Sequence, residues 1–235
     1  MKRNTPIALA LVALLGFGAG CSDDDNPVNP APQATANLRV LHASPDAPAV
    51  DVLVDGQVVA ANVPYKAFSQ YLSVAAGARN IKVRASANPS LVVIDVSPSL
   101  GANTDYTVIA RNLVASIEPW LLIDDNSAPA AGQIKLRLVH AAPAAPTVDI
   151  YVTAPGADLS TVAPTLSDVP YAVASNYLAV PAGTYRVRIC PANTITVAID
   201  SGALALTAGQ IRTAVAVDNT GGGSPFGAVV LPDRN

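Results

Sequence analysis

The sequence predicts an all-β protein in which two tandem immunoglobulin-like β-sandwich domains follow a signal peptide and a flexible tether. Three observations support this fold class. The phrase LRVLHASPDAPAVDV (38–52) returns as LRLVHAAPAAPTVDI (136–150), so the body of the chain is an internal repeat. Short segments of alternating apolar and polar residues are separated by turns, as expected for strands. No stretch has the sustained apolar period of 3.6 residues that an amphipathic helix requires.

The first twenty residues have the pattern of a secretory signal peptide. Lys2 and Arg3 give a positively charged start, an apolar run (IALALVALLGFG) follows, and small residues precede Cys21. The apolar run is shorter than the about 20 residues that a transmembrane helix needs. We therefore expect residues 1–20 to direct export from the cytoplasm.

The stretch Gly18–Cys21 resembles a bacterial lipobox, in which the cysteine is acylated and becomes the new N-terminus. The resemblance implies a palmitate-type membrane anchor on Cys21. Several acyl chains on one residue would hold the chain durably, because each buried CH₂ contributes about 0.8 kcal/mol. The chain has one further cysteine, Cys190, so no structural disulfide is expected. The alternative is an ordinary signal peptide followed by an incidental cysteine.

Residues 21–36 are polar and rich in proline, which predicts a disordered tether between membrane and body. Without Lys2 and Arg3 the 14 basic residues fall to 12, and against 17 acidic residues the net charge is −5. An acidic chain without a basic patch argues against nucleic acid as a partner.

The repeat predicts domains at 37–126 and 134–235, joined by a linker at 127–133. The first part of the two copies matches at an offset of 98 residues, and residues 62–84 match 168–190 at an offset of 106. The difference is an eight-residue insertion within 153–165. We expect the offset of 106 to continue to the end of the chain, so that Thr107 corresponds to Thr213 and Trp120 to Phe226.

The elements of each copy follow in order. LRVLH predicts a strand that stops at the first proline of the phrase, since proline cannot donate to a ladder. Residues 51–56 alternate and then turn at Asp-Gly, which indicates a β-hairpin. Turns at 74–77 and 180–183 precede the alternating segments IKVRA and YRVRI, and residues 105–110 and 212–217 predict later strands. Six or seven short strands with frequent turns favour an immunoglobulin-like sandwich.

The phrase RVLHASPDAPAVDV (39–52), the VPY motif (63–65) and the AGTY motif (182–185) together resemble the DUF4397 family. These are extracytoplasmic bacterial domains, often found in lipid-anchored or secreted proteins. The resemblance extends over both copies, nearly everything after residue 37. It implies an envelope-associated β-domain and brings no activity with it.

The repeated phrase supplies the weak candidates for ligand binding, which are His42, Ser44, Asp46, Asp51, His140 and Asp149. The two histidines are the only ones in the chain, and with the two matching aspartates they recur in both copies. We expect them to brace the turn, because polar groups freed at such a turn need local partners. Ser44 and Asp46 are replaced by Ala142 and Ala144, so any role of theirs is confined to the first copy.

No metal, cofactor or catalytic residue is predicted. A zinc site usually needs three or four protein ligands, and the second copy offers only His140 and Asp149 locally. The chain lacks a G-x-S-x-G motif, and Cys190 on an alternating strand predicts a small core residue. We therefore do not expect an enzyme. The alternative is a metal-dependent or hydrolytic envelope enzyme centred on His42 and Asp51.

A tyrosine pair recurs in the motif V-P-Y-x5-Y-L, as Tyr65 with Tyr71 and Tyr171 with Tyr177. We expect these rings to close the sandwich edge with their hydroxyls bonded to backbone, and the alternative is a surface for sugars or proteins. The insertion at 153–165 is either a recognition loop or a disordered hairpin.

The expected function is a lipid-anchored binding, adhesion or scaffolding module of the bacterial cell envelope. It would lie on the periplasmic face of an outer membrane or on the cell surface, held to the membrane through its N-terminal lipid. An envelope protein or polysaccharide is the expected partner, and a purely structural subunit is a further alternative.

Overall fold

Four larger β-sheets and one two-stranded sheet form the body of the protein in a computed structural model that describes residues 33–233. The predicted signal peptide, Cys21 and most of the predicted tether lie outside these residues. In the described part, strands and loops are interrupted by two 3₁₀ turns alone, so the predicted all-β class of tandem sandwiches is confirmed. None of the helices among residues 33–233 has the length and apolar character needed to cross a membrane.

The first repeat contains ten of the described strands and one 3₁₀ turn. These are β1 (Thr35–Ala43), β2 (Val50–Val54), β3 (Gln57–Val63), β4 (Leu72–Ala75), β5 (Gly77–Ala78), β6 (Ile81–Ala85), β7 (Asn88–Val96), β8 (Ser99–Leu100), β9 (Asp105–Arg111), the 3₁₀ turn η1 (Val114–Ser116) and β10 (Glu118–Asp124).

The second repeat contains nine of the described strands and one 3₁₀ turn. These are β11 (Gln133–His140), β12 (Val148–Thr153), the 3₁₀ turn η2 (Leu159–Thr161), β13 (Leu166–Val169), β14 (Val173–Ala174), β15 (Leu178–Pro181), β16 (Gly183–Pro191), β17 (Ile199–Leu206), β18 (Ile211–Val217) and β19 (Gly227–Pro232).

Each repeat is a sandwich of an inner and an outer sheet with the same strand order. The inner sheets run β10-β9-β1-β4 in the first repeat and β19-β18-β11 with β14 and β15 in the second. The outer sheets run β3-β2-β6-β7 and β13-β12-β16-β17. In both inner sheets the first strand of the repeat pairs in parallel with a late strand of the same repeat. These pairs are β1 with β9 and β11 with β18.

The Asp55-Gly56 turn between β2 and β3 confirms the predicted hairpin. Both residues have positive φ, 50° and 81°. Two such residues in a two-residue loop belong to the turn whose twist matches that of paired strands.

Strands β1 and β11 are buried on both faces, which places the inner sheets in the middle of the molecule. Successive side chains of a strand point to opposite faces. Leu38 and Val40 enter the core of the first sandwich, whereas Leu41 and Ala43 enter a third apolar cluster. That cluster joins the two repeats through one face of each inner sheet. Its buried members are Leu41, Ala43, Ile109, Val139, Ala141, Val215, Val217, Val229 and Leu231.

The strand pairing corrects the predicted correspondence at the end of the chain. Thr107 and Thr213 do occupy equivalent places, opposite Arg39 and Arg137. In the last strands, however, Trp120 pairs with Ile109 and Val229 pairs with Val215. Trp120 therefore corresponds to Val229 and not to Phe226, because the glycine-rich loop before β19 is three residues longer than its counterpart.

The predicted boundaries of tether and linker differ slightly from the strand ends. β1 begins at Thr35, two residues inside the predicted tether. The connection between the repeats runs from the end of β10 at Asp124 to the start of β11 at Gln133, so it includes two residues that we assigned to the first domain. The division into two domains stays a prediction, since residues from Gln33 onward form one compact unit.

Candidate functional site

The histidine of the repeated phrase lies at the end of β1 and is fully buried. His42 Nε2 lies 3.1 Å from the carbonyl oxygen of Pro48, and the backbone N–H of Ser44 donates to His42 Nδ1 at 3.3 Å. A neutral imidazole that carries its proton on Nε2 satisfies both contacts. The ring thereby bridges the two ends of the S-P-D-A-P turn.

The second repeat reproduces this arrangement. His140 Nε2 lies 3.1 Å from the carbonyl oxygen of Pro146, and the N–H of Ala142 donates to Nδ1 at 3.4 Å. Burial lowers the pKa of both histidines, and the proline carbonyl partly opposes that shift. Both rings therefore hold their turns as neutral groups, which is the bracing that the sequence predicts.

The matching aspartates, Asp51 and Asp149, each accept a hydrogen bond from a bulge in the neighbouring strand. Asp51 Oδ1 accepts from the N–H of Asn62 at 2.9 Å, and Asp149 Oδ1 accepts from the N–H of Asp168 at 2.9 Å. Asn62 and Asp168 both have positive φ, 49° and 52°, where the register of the edge strand shifts. Such a bulge frees an N–H from the ladder, and the carboxylate accepts it.

Other donors reinforce both carboxylates. The Ser86 hydroxyl donates to Asp51 at 2.7 Å, and the N–H of Asn193 donates to Asp149 at 2.9 Å. The bond from the Asn62 N–H, followed by that from Ser86, lowers the pKa of Asp51. Among the described residues, His42 and Asp51 share no hydrogen-bond partner. Within residues 33–233 no three His, Cys, Asp or Glu side chains form a group that could hold a metal ion.

Ser44 and Asp46, which alanines replace in the second copy, differ in burial and in hydrogen bonding. Asp46 is exposed, and its Oδ1 accepts from the N–H of Val114 at 2.7 Å, at the first residue of η1. Ser44 is completely buried, and its hydroxyl has no hydrogen-bond partner in the described part of the chain. Asp46 therefore fixes the loop after β9 against the S-P-D-A-P turn, a contact that alanine at 144 cannot make.

Loops of both repeats meet around this turn, and we call this region the junction loops: residues 44–48, 112–117 and 219–226. The N–H of Gly221 donates to the carbonyl oxygen of Pro45 at 2.8 Å. In the second copy the carboxylate of Asp218, which is buried, accepts from the N–H groups of Ala144 at 3.4 Å and Gly223 at 3.1 Å. Leu113 remains exposed beside Gly222, so the junction loops form a composite surface to which both repeats contribute.

A buried charge network crosses the interface between the inner sheets. Arg39 of the first repeat donates to Asp233 Oδ1 at 2.7 Å and to the carbonyl oxygen of Pro232 at 2.9 Å. Reciprocally, Arg137 of the second repeat donates to Asp124 and to the carbonyl oxygen of Ile123. Each guanidinium thus binds the carboxylate and the preceding carbonyl of the other repeat.

Threonine and tyrosine hydroxyls complete each half of the network. In the first repeat Thr107 and Tyr71 both donate to Asp124 at 2.6 Å. In the second, Thr213 donates to Asp233 at 2.8 Å and Tyr177 at 2.9 Å. The rings of Tyr71 and Tyr177 also lie under the arginine of their own repeat, 4.6 and 4.7 Å from the guanidinium carbon.

The other tyrosine of each pair reaches across the interface. The hydroxyl of Tyr65 donates to the backbone carbonyl of Asp218 at 2.8 Å. The ring of Tyr171 lies 5.1 Å from the guanidinium carbon of Arg111, which is equally close to Trp120. Tyr65 and Tyr171 thus contact the other repeat, whereas Tyr71 and Tyr177 bind carboxylates of their own repeat. Of the four hydroxyls, that of Tyr65 makes the expected bond to backbone, and the rings do not close the edge of one sandwich as predicted.

Sequence reasoning missed Arg39 and Arg137, although a signal was present. Each is flanked directly by apolar residues, at the same place in both copies of the phrase. An arginine retained in a strand that is apolar on both sides indicates a buried partner, because a buried charge is costly unless it is paired. Asp233 lies 194 positions from Arg39, and Asp124, although 13 positions from Arg137, had no local signal as its partner.

The insertion at 153–165 is folded. Leu159 of η2 is buried against Tyr151 and Cys190 on the outer face of the second outer sheet. The guanidinium of Arg188 donates to the carbonyl oxygen of Ala157 at 2.7 Å and to Thr153 at 2.9 Å. Cys190 is completely buried as predicted, and burial raises the pKa of its thiol.

An apolar cleft opens at the same edge of each sandwich. The first, of about 250 Å³, is lined by Ile81, Val96, Pro98, Val108, Pro119 and Leu121. The second, of about 290 Å³, lies between β17 and β19 over Val187, Ala214 and Val230. Four residues of the first cleft have equivalents in the lining of the second, because Ile81, Pro98, Val108 and Leu121 correspond to Val187, Leu204, Ala214 and Val230.

Comparison with known proteins identifies a family that matches both repeats. A family described as "Domain of unknown function (DUF4397)" matches residues 36–151 and 153–235. No curated protein matches the chain. Among solved structures, a leucine-rich repeat protein from Bacteroides thetaiotaomicron is 13% identical with a TM-score of 0.19, over 80% of this chain and 26% of that one. This chain thus spans about a quarter of that protein.

Proposed function

We propose that this chain, which belongs to the DUF4397 family, is a lipid-anchored binding, adhesion or scaffolding module of the bacterial cell envelope. The observation that carries the proposal is the reciprocal Arg39–Asp233 and Arg137–Asp124 network. It locks two sandwiches into one body with fixed loops and fixed edges. A preorganised surface loses little freedom on binding a partner, which favours affinity.

The N-terminal sequence pattern supports the proposed location at a bacterial membrane. A signal-like segment ends at Cys21, and the first strand begins soon afterwards at Thr35. Lipid on Cys21 would hold this body close to a membrane through a short polar segment. The membrane would be the outer membrane or the cell surface of a bacterium, with an envelope protein or a polysaccharide as partner.

The histidine geometry favours binding over catalysis. Both ring nitrogens of His42 contact backbone groups, and the carboxylate of Asp51 accepts from a bulge N–H and a serine hydroxyl. A general base must reach the proton that it abstracts. An enzyme centred on His42 and Asp51 would have to break these contacts first. Loss of a hydrolase activity in His42→Ala with retained folding would favour this alternative.

Two experiments test the proposal separately. Labelled palmitate should enter the chain and should be lost in Cys21→Ala, with Cys190→Ala as the control that retains the label. Label that persists in Cys21→Ala contradicts the anchor. For binding, we expect capture of a defined envelope protein or glycan by the immobilised chain, reduced by substitutions in the junction loops at Asp46 and Leu113. If neither an envelope pull-down nor a glycan array detects a bound partner, the binding role is contradicted.

A further inference from the structure

The turn of the first repeat, residues 44–48, holds the junction loops together. The carboxylate of Asp46 accepts from the N–H of Val114 at 2.7 Å, and the carbonyl oxygen of Pro45 accepts from the N–H of Gly221 at 2.8 Å. The first contact lies within the first repeat, and the second reaches the other repeat. The shape of the junction loops therefore depends on this turn staying closed.

His42 closes the turn with both of its ring nitrogens. Nε2 lies 3.1 Å from the carbonyl oxygen of Pro48, and Nδ1 accepts from the N–H of Ser44 at 3.3 Å. A neutral ring makes both contacts, whereas an imidazolium carries a proton on each nitrogen and has no acceptor. Protonation would leave two N–H groups facing each other at Ser44. The closed turn and the charged ring are therefore incompatible.

The surroundings of His42 do little to stabilise a charged ring. The side chain is completely buried, and a buried charge is costly unless it is paired. The titratable side chains on the elements around it are Tyr65, Lys66, Asp46, Arg111 and Glu118. The ring of Tyr65 packs edge-on against His42 at 6.0 Å, and Lys66 Nζ lies 5.2 Å from the Tyr65 ring. Asp46 is exposed, and the carboxylate of Glu118 is paired with Arg111.

Acid should therefore favour an open turn. Burial lowers the pKa of His42 from its ordinary value of 6.5, and the Pro48 carbonyl partly opposes this shift. In an open turn the ring regains water and its ordinary pKa, so the open form binds the proton more readily than the closed form. Below about pH 6.5 the ratio of open to closed turns rises, by at most about tenfold per pH unit. Opening also gives water to the Ser44 hydroxyl, which is buried without a hydrogen-bond partner in the described part of the chain.

We propose that His42 is an acid-sensitive latch of the junction loops, whose protonation opens the turn at residues 44–48 and releases Val114 and Gly221. The opening is local, because the backbone of His42 stays in the ladder opposite Ala110 of β9. The latch itself is independent of the proposed function. Its consequence rests on that function: a partner bound at the junction loops would be held less tightly in acid.

The second repeat provides a less sensitive counterpart. His140 makes the equivalent contacts with Pro146 and Ala142. Burial lowers the pKa of His140, but the Pro146 carbonyl and also the carboxylate of Asp218 oppose that shift. Alanine at 142 has no hydroxyl that would gain water on opening. The two histidines therefore serve as matched test and control in one chain.

Hydrogen exchange of the full chain, solubilised in mild detergent, tests the latch. After correction for intrinsic exchange, we expect the rates at Val114 and Gly221 to rise at least about twofold and at most about tenfold between about pH 7.5 and about pH 5.5. The rate at Ile109, in the centre of the inner sheet, should stay constant. Equal acceleration at Ile109 would indicate global unfolding and would overturn the proposal.

Three variants identify the titrating group. His42→Gln keeps a donor for the Pro48 carbonyl and cannot be protonated, so the pH response at both amides should disappear. His140→Gln is the matched control and should retain the response. Asp46→Asn removes the other titratable group of the turn, keeps an acceptor for the Val114 N–H, and should retain the response too. A response that persists in His42→Gln overturns the proposal.

A second measurement does not depend on the folding of His42→Gln. The chain has two histidines, so the imidazole NMR signal that remains in His140→Gln belongs to His42. Exchange at Val114 should accelerate before this signal has titrated, because the open turn protonates first. Acceleration that begins only after the signal has titrated overturns the proposal. Neither measurement requires a bound partner, so the latch and the proposed binding role succeed or fail separately.

Discussion

Arg39, in the first strand of the first repeat, donates a 2.7 Å hydrogen bond to Asp233, which follows the last strand of the second. The two residues are separated by 194 positions in the sequence, and both side chains are buried. Its counterpart, Arg137 with Asp124, runs in the opposite direction across the same interface. The two repeats are therefore joined by a pair of equivalent contacts around an approximate twofold arrangement.

Removing Arg39 should strongly destabilise the protein. Arg39→Met leaves Asp233 buried without its cation, and breaking a buried pair from one side typically costs about 3–5 kcal/mol. Urea denaturation measures the loss in the free energy of unfolding. Arg79→Met is the matched control, because its pair with Asp55 is partly exposed and should contribute less than about 1 kcal/mol. Equal losses for the two variants would contradict the buried network as a stabilising contact.

The repeats should unfold together. Because the third apolar cluster and the charge network span the interface, separating the repeats exposes buried charge and apolar surface on both sides. We expect one transition, with tryptophan fluorescence of Trp120 and far-ultraviolet circular dichroism coinciding. Two resolved transitions in the wild-type chain would mean that each repeat is stable alone.

Stability should fall as the pH drops below about 6.5. Burial lowers the pKa of His42 and His140 from 6.5, so the unfolded chain binds protons more readily than the folded one in that range. The stabilising contribution is complete above the unfolded pKa and is lost as the pH decreases. The slope is at most about 1.4 kcal/mol per pH unit for each histidine.

Denaturation midpoints between pH 7 and 5 measure this slope. His42→Gln retains a donor for the carbonyl of Pro48 and removes one titrating group, so the slope should become smaller. A slope that His42→Gln leaves unchanged would assign the pH dependence to other groups.

Loss of Asp46 should loosen the junction loops of the first repeat. Asp46→Ala removes the acceptor for the Val114 N–H, and we expect a loss of about 1 kcal/mol. Hydrogen exchange should accelerate at Val114 and remain slow at Ile109 in the centre of the inner sheet. Unchanged protection of Val114 would show that the carboxylate does not hold the loop.

Local sequence patterns predict the local structure of this chain well. The Asp55-Gly56 turn, the bracing by His42 and His140, and the burial of Cys190 follow from neighbouring residues, and the structure agrees with each. Each depends on contacts within one repeat. A repeated phrase reveals such contacts because each copy has to satisfy them separately.

The contacts between repeats could not be predicted in the same way. Their partners lie on different copies, and the repeat alone does not indicate which faces of the sheets meet. The assignment of Trp120 to Phe226 failed for a related reason: strand pairing, and not sequence similarity, determines the register of a short last strand after a glycine-rich loop. Apolar residues on both faces of LRVLHA, with the arginine among them, were the available indications that a second layer covers this strand.

The central place of β1 has a mechanical consequence. The chain before Thr35 leads directly into β1, so a pull from the N-terminal side acts along the length of that strand. β1 has strands on both sides, β9 in parallel and β4 antiparallel. Tension along it loads many ladder hydrogen bonds simultaneously in shear instead of opening them one after another. The proposed lipid on Cys21 would therefore pull on a strand that is paired on both sides.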